Sequence, residues 1–134
     1  MAIKIPIIYE SAITAQASAA ITAGTDSAGA LTTIDNSKTG NGAGCHAYKC
    51  FVNVTVAPSG GAATARLKYS GKSSGTPDKF DTGSLSIKIP NGETGEFEMG
   101  DIIEPAPVSR CMLAAEDYGF TASLIVVPIL PEAQ

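Results

Sequence analysis

The chain of 134 residues has no tryptophan, a single histidine (His46) and only 16% charged residues. Each shortage excludes something. Without tryptophan, the aromatics Tyr9, Tyr48, Phe51, Tyr69, Phe80, Phe97, Tyr118 and Phe120 stand singly, which offers no stacking platform for bases or sugars. A serine-nucleophile triad would have to use His46, and no Gly-x-Ser-x-Gly elbow accompanies it, so no catalytic residue and no enzyme is expected. Nine Lys and Arg stand scattered against 13 Asp and Glu, with a net charge of −4. That is too little positive charge to neutralise a phosphate backbone, and no nucleic-acid partner is expected. The most apolar stretch, residues 124–130, falls far short of the ~18 residues that cross a bilayer. The first ten residues lack the basic n-region and apolar core of a leader, so the expectation is synthesis in the cytoplasm, with no membrane partner.

Cysteine is also scarce. Cys45, Cys50 and Cys111 are an odd number without a close Cys-x-x-Cys pair. They read as reduced, small apolar side chains. A zinc site from Cys45, His46, Cys50 and Cys111, or a Cys50–Cys111 disulfide, is the sharper alternative, and spacing alone does not decide the disulfide. No metal or cofactor is expected. Glu93, Glu96, Glu98, Asp101 and Glu104 form the densest acidic stretch, with Glu96 and Glu98 on one strand face. The Asp-x-Asp-x-Asp-Gly calcium pattern is missing, and a solvated strand face is the expectation. Gly40-Asn41-Gly42-Ala43-Gly44 is glycine-rich, but no lysine follows to complete a phosphate loop, so it reads as a flexible loop.

What the chain does have is alternation. Tyr48, Cys50, Val52, Val54 and Val56 alternate with Lys49, Phe51, Asn53 and Thr55, the period of a strand with one face on a core. Ala63, Ala65, Leu67 and Tyr69 repeat the pattern beyond Pro58-Ser59-Gly60-Gly61, and the two runs together predict an antiparallel hairpin. Further short strands are predicted near residues 19–23, 30–34, 85–89, 95–99, 102–103, 108–114 and 120–127, the last ended by Pro128. About eight short strands without a helix predict an all-β domain: a sandwich, a jelly roll or a small barrel. The domain is expected over residues 11–134, behind an N-terminal arm or edge strand at residues 1–10.

That arm, Ile3-Lys4-Ile5-Pro6-Ile7-Ile8-Tyr9, is conspicuously apolar. Burying an isoleucine is worth about 2 kcal/mol, so its four isoleucines carry at most roughly 8 kcal/mol before ordering entropy is subtracted. Either it is an edge strand of its own sheet or it meets a neighbour. Ile3, Lys4, Ile5, Ile7, Ile8 and Tyr9 are the candidate contact residues.

The order of segments resembles the head decoration, or capsid cement, proteins of tailed bacteriophages. The likeness rests on the apolar N-terminal segment, the Ala/Thr-rich stretch 15–34, the long alternating strand 48–56 with its Gly-Gly turn, and the run 63–70 entering a polar loop. The ending Cys111-Met112-Leu113-Ala114-Ala115 and Ala122-Ser123-Leu124-Ile125-Val126 completes it. The resemblance implies a jelly-roll-like antiparallel β-sandwich, forming a homodimer or homotrimer on the outer surface of the virion. It also implies binding to the expanded shell by bridging subunits of the major capsid protein. Two other kinds of protein share the texture: a phage tail tube, terminator or fibre module, and a module binding carbohydrate or a host surface through Tyr69, Phe80 and Tyr118.

Overall fold

The computed structural model describes residues 7–25 and 29–131. Within them the chain forms nine strands and no helix: β1 (Ile7–Tyr9), β2 (Ile13–Ile21), β3 (Ile34–Asp35), β4 (Ala47–Val56), β5 (Ala63–Lys72), β6 (Asp81–Ile89), β7 (Gly95–Ile103), β8 (Val108–Ala115) and β9 (Phe120–Pro131). They build two antiparallel sheets packed as a sandwich. In the first, β9 has β1 and β2 along one edge and β4 along the other, with β7 outside β4; the second runs β3-β8-β5-β6. From β2 onward every connection crosses between sheets except β5 to β6.

Period-two patterning decides which side faces in. Tyr48, Cys50, Val52 and Val54 of β4, with Leu124 and Val126 of β9, meet Ala63, Ala65 and Leu67 of β5 and Cys111 and Leu113 of β8 in one buried cluster. The two sheets are also joined by hydrogen bonds inside this core. The Tyr48 hydroxyl lies 2.8 Å from Ser109 Oγ and 3.6 Å from Cys111 Sγ.

Several expectations are corrected. β4 and β5 are not a hairpin: β4 pairs with β7 and β9, and β5 with β6 and β8. Alternation reports only that each strand has a buried face. The six residues between them, with Pro58 buried, form an arch that carries the chain across the core rather than back along it. β9 does not stop at Pro128 but continues to Pro131. Its outer edge changes neighbour there, from β2 (last partner Val126) to β1 (first partner Ile129), so the missing N–H falls at a break in pairing. The fragments 95–99 and 102–103 are one strand, bent by a bulge where Cys50 pairs with Gly100 but Phe51 with Glu98. The segment 30–34 is strand only at Ile34–Asp35, plus a bridge from Leu31 to Gln16.

Gln16 closes the side of the sandwich opposite β6 and β7. β3 covers the outer edge of β8 only at Ser109 and Val108. Further along, the Leu113 N–H donates to Gln16 Oε1 at 2.7 Å, from a side chain that is wholly buried. Leucine at this position removes the acceptor and leaves a buried N–H unpaired, which costs about 1–3 kcal/mol. Gln16→Leu is therefore expected to lower the unfolding free energy in urea by that amount, whereas a variant as stable as the parent would contradict the role.

Candidate docking surface

The outer face of the first sheet is built by registration. Tyr9 pairs with Ile129, Ile129 with Ala47, and Ala47 with Ile103, so one apolar row crosses β1, β9, β4 and β7. Ala47 and Ile129 in its middle are buried by their neighbours; Tyr9 and Ile103 at its ends are 56% and 73% exposed. The next rows are Val127–Lys49–Asp101 and Ile125–Phe51–Glu98, which extend the apolar surface and border it with carboxylates along β7. Lys49 Nζ reaches Glu98 at 3.2 Å.

This row lies at the end of the sandwich from which both ends of the described chain leave, because Ile7 pairs with Pro131. The same end carries the connections 36–46, 73–80 and 104–107. It also holds the only non-glycine residues with left-handed backbone among the described residues, Ala43 (φ 43°) and Glu104 (φ 52°). Such strain persists only where surrounding bonds over-determine it. Glu104 N–H donates to His46 O at 2.8 Å, and His46 N–H to Ile129 O at 3.2 Å. The glycine-rich loop, expected to be flexible, is held instead. Asn41 Oδ1 accepts from Asp35 N–H at 2.7 Å, Asn41 Nδ2 donates to Thr33 O at 2.9 Å, and Gly42 N–H donates to Asp35 O at 2.7 Å. Beside Glu104 a shallow concavity of about 520 Å³ is lined by Tyr69, Lys72, Asp81 and Pro107, among others.

Of the contact residues expected in the N-terminal arm, Ile3, Lys4 and Ile5 lie outside the described residues. Ile7 and Ile8 form β1 with Tyr9, so the described part of the arm is an edge strand of its own sheet. Tyr9 enters the apolar row. Ala47, Ile103 and Ile129 carry no distinguishing signal in the sequence; only the register brings them together.

The remaining reactive groups are placed elsewhere. Cys45, Cys50 and Cys111 are free, buried thiols. Burial pushes the Cys111 thiol up to about 11, against a lowering contribution from Tyr48, and burial likewise raises Cys50 and Cys45. His46 is exposed, and no group of three or more His, Cys, Asp or Glu among the described residues could hold a metal ion. Two of the aromatics considered for sugar binding, Tyr69 and Tyr118, lie at opposite ends of the sandwich. Tyr69 accepts a 2.8 Å bond from Ala106 N–H near the terminal end, while Tyr118 packs over Gly60 and Gly61 at the opposite end.

At that opposite end Asp117, in the turn between β8 and β9, clamps the start of β5 and the end of β6 to that turn. It accepts from Thr64 N–H at 2.7 Å, Tyr118 N–H at 2.9 Å and Lys88 Nζ at 3.3 Å. The Thr64 N–H foremost, then that of Tyr118, holds its carboxyl well below the usual range. A depressed folded-state value stabilises the fold above the unfolded value of about 3.9, and the contribution is lost as pH falls from there toward the folded value. Asp117→Asn should therefore melt earlier than the parent at pH 7 and show a shallower loss of Tm below about pH 4. Parallel Tm profiles for the two proteins would contradict this.

No family model, curated protein or solved structure matches the chain.

Proposed function

We propose that this chain is a structural virion protein of the head-decoration kind. In this reading it docks by its terminal end on the outer surface of an expanded phage shell and bridges major capsid protein subunits. The observation that carries the reading is the apolar row Tyr9–Ile129–Ala47–Ile103, open at both ends and level with both termini of the described chain. Its two ends are exposed, and the half-buried Val127, Ile125 and Phe51 continue the apolar face beside it; a sheet face of this kind supports reading it as a contact site. The described chain starts beside the row at Ile7, and the sequence just before is the apolar Ile3-Lys4-Ile5-Pro6. The crossing strand order is read as a jelly roll, an architecture used for shell building and surface binding.

Function then follows from linkage. A protein that binds only the expanded lattice stabilises that lattice by its binding free energy, and many copies bridging several subunits add avidity without chemistry. Co-sedimentation with expanded and unexpanded heads of the phage that encodes the chain tests this. Retention on expanded heads alone is expected, and a chain that pellets with neither would overturn the reading.

A further inference from the structure

Asn-Gly occurs twice in the chain, at Asn41-Gly42 and Asn91-Gly92, and the fold treats the two pairs differently. A glycine after asparagine leaves the asparagine amide open to attack by the next main-chain nitrogen. No Cβ shields that nitrogen, and the backbone can rotate to bring it in. Between β3 and β4 this approach is blocked. Asn41 Oδ1 accepts from Asp35 N–H at 2.7 Å and Nδ2 donates to Thr33 O at 2.9 Å, so both atoms of the amide are held. Gly42 is buried and gives its own N–H to Asp35 O at 2.7 Å. Ile34 Cγ2 and Asp35 O stand 3.1 and 2.9 Å from where its Cβ would be.

Asn91 and Gly92 occupy the turn between β6 and β7, and both are exposed. Glu93 N–H closes this turn on Pro90 O at 3.2 Å, with Gly92 in its left-handed position at φ 78°. The Asn91 side chain has no hydrogen bond among the described residues, and nothing lies within 4 Å of a Cβ built on Gly92. One bond restrains the attacking nitrogen: Gly92 N–H donates to Pro58 O at 2.9 Å. Releasing it requires only a local opening of a surface turn, whereas Gly42 must leave its packed site.

We propose that Asn91 is a site of spontaneous covalent modification in the folded chain, converting to aspartate and isoaspartate, while its bonds preserve Asn41. Solvent base takes the Gly92 N–H proton, the nitrogen attacks Asn91 Cγ, and the Cγ–Nδ2 bond breaks. Ammonia leaves with a proton returned by the solvent. Water then opens the cyclic imide at either carbonyl. Opening at Cγ gives aspartate, and opening at the main-chain carbonyl gives isoaspartate, whose main chain runs on through Cβ and Cγ. Water is the sole co-reactant. Each product adds a negative charge beside Glu93, and isoaspartate also lengthens a turn tied to Pro58. The turn lies away from the terminal end, so the inference does not rest on the docking role.

Incubation of the folded chain in mildly alkaline buffer, followed by tryptic peptide mapping, tests this. Residues 39–49 carry Asn41 and residues 89–110 carry Asn91, each as the one asparagine of its peptide. Aspartyl and isoaspartyl forms are expected in 89–110 about tenfold or more faster than in 39–49. In urea that unfolds the chain, the two rates should converge to within about threefold, because the difference belongs to the fold. Asn91→Gln moves the amide one carbon further from the nitrogen and should leave 89–110 unmodified over the same period. Equal rates in the folded chain, faster conversion at Asn41, a difference that persists in urea, or an Asn91 that stays intact until the chain unfolds would overturn the proposal.

Discussion

Replacing Tyr48 with alanine is expected to destabilise the sandwich by about 3–5 kcal/mol, and replacing it with phenylalanine by about 1–2 kcal/mol. Tyr48 is the largest of the fully buried side chains, on β4 of one sheet, and its hydroxyl meets Ser109 and Cys111 on β8 of the other. Alanine removes the ring and opens a cavity between the sheets. Phenylalanine keeps the ring but leaves Ser109 Oγ without this partner in a place closed to water. Burial also drives the Tyr48 hydroxyl far above its ordinary pKa, so it stays a neutral bonding group at any pH at which the protein is handled. Urea denaturation of the three proteins checks the pair. Equal losses for both variants would mean that the hydroxyl, not the ring, bridges the sheets, and a phenylalanine variant as stable as the parent would remove the hydrogen bond from the account. Domains of this size are stabilised by only about 5–15 kcal/mol in total, so the alanine variant should be near the limit of folding.

The second large effect concerns binding. Ile103→Asp is expected to weaken attachment to expanded heads by about thirtyfold or more, equivalent to about 2 kcal/mol, while shifting stability by less than about 0.5 kcal/mol. Ile103 is 73% exposed, so the folded chain loses little when it becomes polar. In a docked complex the same position would hold a desolvated carboxylate against apolar surface. Val56→Asp is the matching control: Val56 is 58% exposed but lies at the opposite end of β4. Equal weakening by the two substitutions would show that exposed apolar surface in general, rather than the row at the terminal end, makes the contact.

The fold class is legible in the sequence because period two survives in the long strands β4, β5, β7 and β9. Tyr48 to Val54 and Ala63 to Leu67 show it directly, and their inward residues are the core. Partnership is not legible. The same alternation suits a hairpin and a pair of strands facing each other across a core, so the sequence points to β4 pairing with β5, although the two stand in opposite sheets. Proline misleads for a related reason. A missing N–H ends a strand only if a partner needs it, and at Pro128 the neighbouring edge is interrupted between β2 and β1.

The candidate surface is legible only at its edge. Tyr9 belongs to the apolar arm that stands out in the sequence, but Ile129, Ala47 and Ile103 are far apart in the chain and become one row through antiparallel register. Their individual surroundings in sequence are ordinary. The basic side chains of β5 and β6 follow the same course, since Arg66, Lys68 and Lys88 look dispersed until pairing places them on one face. The ordering of the glycine-rich loop likewise depends on Asp35 and Asn41 meeting across it, which composition does not report.

Electron microscopy of the assembled particle tests the docking role most directly. Expected is density for this chain distributed over the outside of the expanded head, each copy standing on boundaries between capsid subunits with its termini toward the shell. Density confined to tail rings or fibres, or particles that carry none of it, would contradict the role.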